Sequence, residues 1–176
     1  MFYLLRTWLS FRITFGTAPN LPSKITFGEL PTLPSKITFG SIPAGVKRIT
    51  VMYNSISTTG TNNYQIRLGT ASGIEATGYT GTVSDTSSGV GSTAYAGAGY
   101  DVTRGSAAAN LHQGSLIITN LSGNIWTAFG IVGYSAGGTY HTGGTKTLGA
   151  ILTQLAITTV SGTDTFDAGS INILYE

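Results

Sequence analysis

The chain contains no cysteine, so it can hold neither a disulfide framework nor a thiolate metal site, and its redox compartment leaves no mark. Charge is scarce as well: Asp, Glu, Lys and Arg make up 9% of residues, against roughly a quarter in an ordinary soluble domain. No apolar run approaches the roughly eighteen residues of a membrane-spanning helix, because glycine and threonine interrupt each one. The opening MFYLLRTWLSF is apolar but split by Arg6, with no basic start and no small-residue cleavage site. It reads as an anchoring tail in preference to a secretory signal or a peripheral membrane segment.

Catalytic sets are missing too. His112 and His141 are the only histidines, and neither has a companion at helical or strand spacing. No G-x-S-x-G nucleophile frame occurs, and GSTAYAGAG lacks the lysine and the following helix of a phosphate-binding loop. Asp164 and Asp167 supply two carboxylates where a calcium loop needs several alternating oxygens, so they read as turn aspartates bonding their own backbone. The chain is therefore expected to be no enzyme, with no cofactor and no metal. A small glycan hydrolase, which needs two carboxylates across a cleft, is the weakest reading.

Among what is present, Gly, Thr, Ser, Ile and Val dominate, and apolar and polar residues alternate in pairs. Ile49, Val51 and Tyr53 share one face of a strand, with Thr50 and Met52 on the other; Tyr64, Ile66 and Leu68 do the same against Gln65 and Arg67. Residues 115–132 read as a hairpin turning at Ser122-Gly123-Asn124, with Trp126 in the core. Residues 153–176 read as a second hairpin turning at 161–164, with Ile171, Ile173 and Tyr175 on a common face. No helical period is sustained. Short strands between turn signals give an all-β chain, an antiparallel β-sandwich of jelly-roll-like type.

All five prolines fall within residues 19–43, and among them ITFG recurs at Ile13, Ile25 and Ile37, a register of twelve residues. Each unit is a short strand bounded by proline, with Ile and Phe on one face (Ile13 and Phe15, Ile25 and Phe27, Ile37 and Phe39). Three interrupted copies are too few for a solenoid. The expected organisation is an arm over 1–36 and a β-sandwich over 37–176, the third copy entering the fold as its first strand. The arm copies are expected to pair with exposed sheet edges in the same chain or in a neighbour. The first 48 residues carry six bases against Glu29 alone, too thin a charge for phosphate binding, so protein contact is expected there and nucleic acid is not.

Residues 77–110 and 135–146 are rich in Gly, Ser, Thr and Ala, and read either as glycine-bearing strands or as loops presenting tyrosine. Tyr79, Tyr95, Tyr100, Tyr134, Tyr140 and His141 are the contact candidates there, weighed evenly against a packing role.

The runs IPAGVKRITVMYNSISTTGTNNYQIRLGTASGIEATGY and LAITTVSGTDTFDAGSINILYE resemble a module of tailed-bacteriophage virion proteins. That module is the C-terminal β-sandwich of many tail fibres, found also in small stand-alone virion proteins. The resemblance covers about residues 37–176 and is strongest at both ends. It implies a component of the particle surface, oligomeric and often trimeric, touching other virion proteins and a host glycan or protein. With no long shaft ahead of the module, the expectation is a separate fibre tip, a capsid decoration protein or a subunit of another surface assembly. The alternative is a secreted or surface carbohydrate-binding module, or filament subunit, of a bacterium.

Overall fold

The computed structural model describes residues 24–26, 34–87 and 91–176. The described residues form strands and connections only, in two antiparallel sheets that face each other. The strands are β1 (Lys24–Thr26), β2 (Lys36–Phe39), β3 (Arg48–Thr58), β4 (Tyr64–Thr70), β5 (Gly73–Ile74), β6 (Tyr79–Asp85) and β7 (Gly91–Gly97). After them come β8 (Tyr100–Asp101), β9 (His112–Ser122), β10 (Ile125–Tyr134), β11 (Gly138–Thr147), β12 (Gln154–Thr159) and β13 (Phe166–Tyr175). The larger sheet runs β1-β13-β3-β9-β10-β11-β6-β7; the smaller runs β2-β12-β4-β5, with β8 also on β4. This is the β-sandwich that the alternation predicts.

Alternation explains which face each strand buries. In β3, Ile49, Val51 and Tyr53 are buried while Arg48 and Asn54 are exposed. A bulge follows: the ladder to β9 shifts between Tyr53 and Ile56, and Ser55 takes φ +52°. The bulge resets the phase so that Ile56 is buried too. Opposite it, Gly169 (φ +81°) lies so close that a Cβ there would stand 2.3 Å from the Ser55 carbonyl oxygen. Tyr64, Ile66 and Leu68 of the smaller sheet close over Ile49, Val51, Leu116 and Ile118 of the larger to make one core. Trp126 joins it, as expected.

The expected hairpin of β9 and β10 is present, paired from Ile125↔Ser122 to Tyr134↔His112, with Gly123 at φ +52° in its turn. The second expected hairpin is not. β12 and β13 lie in different sheets, and the Ser161–Asp164 turn is a crossing between layers. Leu155 to Thr159 are all buried, as suits a strand covered on both sides. Asp164 does not bond its own backbone either. It accepts from Asn62 N (2.9 Å) and Asn62 Nδ2 (2.8 Å), and so ties the crossing to the loop before β4. Asp167 accepts from Ser57 Oγ at 2.5 Å.

β2, the third ITFG copy, pairs with β12 through Ile37↔Ile157 and Phe39↔Leu155, and all four residues are without exposure. It is thus the edge strand of the smaller sheet, entering the fold as expected. β1, from the second copy, pairs with β13 at the edge of the larger sheet, Ile25 opposite Ile171. The second copy thus pairs at an edge of the larger sheet and the third in the smaller sheet of the same chain. The first copy, with Ile13 and Phe15, lies outside the described residues, as do Phe27 and the side chain of Ile25.

Candidate contact surface

Both glycine-rich stretches are mainly strand. Residues 138–147 form β11, paired along β6, and β6 pairs with β7. Tyr79, Tyr100 and Tyr140, expected as contact candidates, are instead buried. The Tyr79 and Tyr100 rings meet edge-on at 5.0 Å. The Tyr79 hydroxyl accepts from Leu68 N (2.6 Å) and donates to Glu75 O (3.1 Å), while that of Tyr100 donates to Trp126 O (3.1 Å). Burial pushes both hydroxyls up in pKa. Tyr95 lies across Gly81 and beside Gly144, where a Cβ on either glycine would stand within 2.5 Å of its hydroxyl oxygen. The glycines make room for a ring on the sheet rather than for a flexible loop.

At one end of the sandwich the structure gathers an aromatic cluster. Tyr134 stacks on Tyr140 at 4.7 Å, and Tyr140 stacks on His112 at 5.9 Å. His112 Nδ1 lies 3.0 Å from the Tyr64 hydroxyl and 3.3 Å from the Ile56 carbonyl. A carbonyl only accepts, so the proton is assigned to Nδ1, leaving Nε2 to accept from Ser106 Oγ at 3.4 Å. Burial lowers the His112 pKa, outweighing the backbone bonds to Ile56 and Asn110 that raise it. The ring is neutral and enclosed, a packing hub. Above it the half-buried Tyr134 donates to Asp85 Oδ1 (3.1 Å) and contacts Ser87 Oγ. Burial raises the Asp85 carboxyl. The Ser87 amide and hydroxyl, the Tyr134 hydroxyl and the Arg104 charge outweigh it and hold the group below the ordinary value. Of the contact candidates, Tyr134 is thus partly accessible at this end. His141 lies elsewhere, exposed on β11 opposite Ile131, its Nε2 3.0 Å from Thr139 Oγ1.

Sequence reasoning missed the outer face of the larger sheet. Phe129 and Ile131 of β10 are each 53% exposed there, on the strand side opposite buried Trp126, Ala128 and Val132. Phe129 lies across from Ile117, Ile117 from Thr50, and Thr50 from Leu174. The next row is Ile131, Ser115, Met52 and Asn172. On the other side a row of threonines, Thr119, Thr127, Thr145 and Thr80, runs from Arg48. The formal charges in these rows are Arg48, which pairs with Glu176 at 2.5 Å, and Lys24 of β1, opposite Asn172 in the register. The signal was available: IWTAFGIV is apolar on both faces of a strand, a pattern that calls for cover on both.

A pocket of about 200 Å³ lies between Pro43–Lys47, the β9–β10 turn and Ile151–Leu152. It is below the roughly 300–1,000 Å³ of a small-molecule site. Among the described residues no group of three or more His, Asp or Glu could hold a metal, and no helix is long and apolar enough to cross a membrane. Near β6, the enclosed Lys146 pairs with Glu75 Oε2 at 2.6 Å and lies 5.3 Å from the Tyr79 ring centroid.

The class these features define is an all-β sandwich with half-exposed apolar residues on one sheet face and short repeated strands among its edges. Comparison with family models, curated proteins and solved structures returns no match for this chain.

Proposed function

We propose that this chain is a non-enzymatic structural subunit on the surface of a tailed-phage particle, either a fibre tip or a receptor-binding or decoration protein. It assembles as a homo-oligomer, trimeric by the resemblance, with other particle proteins as neighbours. The observation that carries the reading is the outer face of the larger sheet. Half-exposed Phe129 and Ile131, with Ile117, Met52 and Leu174 beside them, form an apolar patch whose formal charges, Arg48 and Lys24, stand only at its margins in the strand register. Low overall charge and the resemblance of residues 37–176 support the same reading. The jelly-roll-like strand order expected of such a module belongs to it as well. Contact with a host glycan or protein falls to Tyr134 with Asp85 and Ser87, the tyrosine cluster that combines partial exposure with an oriented carboxylate. Mass spectrometry of purified particles tests the reading, with the chain expected at a fixed copy number per particle. Glycan-array binding by a chain absent from particles would favour a bacterial carbohydrate-binding module.

A further inference from the structure

We infer that His112 is an acid-operated latch on the connection between β8 and β9: when its enclosed ring takes up a proton, residues 105–110 open and water reaches the ring, while both sheets stay folded. This device goes beyond the contact proposed for Tyr134 and does not depend on it.

The His112 side chain has no exposed surface. Strands make most of its enclosure. β3 supplies the Ile56 carbonyl, β4 the Tyr64 hydroxyl and ring, and β10 and β11 the rings of Tyr134 and Tyr140. The β8–β9 connection closes the rest, with Ser106 Oγ 3.4 Å from Nε2 and a backbone bond from Asn110. All of these partners are neutral. The bonds to Ile56 and Asn110 favour a cation, but burial outweighs them. A proton on this ring is therefore relieved only by water, and water enters where the enclosure is weakest.

The strand walls are held by ladders: β9 pairs with β3 and β10, β10 with β11, and β4 with β12. The connection is held at its two ends. Val102 N donates to Tyr64 O (2.8 Å) and Thr103 Oγ1 accepts from Tyr64 N (2.9 Å), with Val102 and Thr103 buried. At the far end Ser135 N donates to Leu111 O (3.0 Å), and Leu111 N donates to Ser135 Oγ (3.1 Å). Between these anchors, Ser106 is the one buried residue of 105–110. Its bonds are long, 3.4 Å to His112 and 3.5 Å from its amide to Asn63 Oδ1. Ala107, Ala108 and Ala109 bring no large apolar side chain to the core. A short segment with so little buried apolar surface opens locally before the sheets do.

The ionisable groups facing His112 from the strands are Tyr64, Tyr134 and Tyr140. Behind them stand three carboxylates, each bonded elsewhere: Asp85 to Ser87 and Tyr134, Asp164 to Asn62, and Asp167 to Ser57. Arg104 of the connection acts on Asp85 and Tyr140 and has the same sign as a protonated His112. Asp101 of β8 works in the opposite direction. Burial raises its pKa, so its protonation in acid favours the closed form.

Amide hydrogen exchange of the full chain, followed by NMR and corrected for the intrinsic effect of pH, tests the latch. A hydrated histidine titrates near the ordinary value of about 6.5, so the open fraction should rise about tenfold from pH 7.5 to pH 5.5. The amides of Ser106 and Asn110 should follow that rise. At both pH values they should exchange at least about a hundredfold faster than those of Leu116 and Ile118 in β9. His112→Gln, or His112→Asn if that variant fails to fold, should remove the rise. Ser106→Ala should keep the rise and speed Asn110 exchange at pH 7.5. His141→Gln and Asp101→Asn should leave it in place. Four results would each overturn the latch. They are a rise below about threefold, a rise that survives loss of His112, Asn110 exchange unchanged by Ser106→Ala, and Ser106 and Asn110 amides that exchange only as fast as those of β9.

Discussion

Phe129 on β10 and Ile117 on β9 lie directly opposite each other on the outer face of the larger sheet, and Phe129 is half exposed. Truncating an apolar side chain that is half exposed costs little: Phe129→Ser with Ile131→Ser should shift monomer stability by less than about 1 kcal/mol. The same pair should shift the assembly towards smaller species in light scattering. A double variant that unfolds more readily yet assembles normally would show that the face is not a contact.

Phe39 behaves in the opposite way. It has no exposed surface and lies against Leu155 in the register of β2 and β12. Phe39→Ala should cost about 3–5 kcal/mol in urea denaturation, as buried aromatics do.

Stability should fall as pH drops through about 6.5, the ordinary histidine value at which the unfolded chain takes up a proton that buried His112 refuses. A depressed folded pKa means that the contribution is fully present above the unfolded value. It is lost progressively down to the folded one. Urea midpoints measured from pH 8 to pH 5 should show this slope. His112→Asn should flatten it, while weakening the fold at neutral pH through loss of the Tyr64 and Ser106 partners.

Lys146 is enclosed and Glu75 about one quarter exposed, so either single loss leaves a poorly hydrated charge. Lys146→Met should destabilise by about 2–4 kcal/mol, and Glu75→Gln by somewhat less. The double variant should cost less than the sum of the two, because it removes the orphaned charge as well as the pair. A fully additive cycle in thermal denaturation would show that the two are not coupled.

Strand existence was legible wherever one face meets water, because alternation then marks the inward set, as at Ile49, Val51 and Tyr53. Layer was not legible. Ser161-Gly162 signals a turn, but turn chemistry alone does not say whether the next strand pairs with the last or crosses to the other sheet. The buried run Leu155–Thr159 was the better clue. The tyrosines stayed undecided between packing and contact because glycine fits a loop as well as a strand. Here Gly81 and Gly144 are strand residues whose missing side chains admit Tyr95. The repeat was legible as edge-pairing strands, but its division between the two sheets needed the ladder registers. The end cluster of Tyr134, Asp85 and His112 draws on β10, β6 and β9, and no local spacing links them.

Immunogold electron microscopy of purified phage particles, with antibody raised against residues 37–176, tests the structural-subunit proposal most directly. Label at a defined, repeated place on the particle surface is the predicted result. Particles that carry no label, while the antibody still detects the chain in the infected-cell lysate, would contradict it.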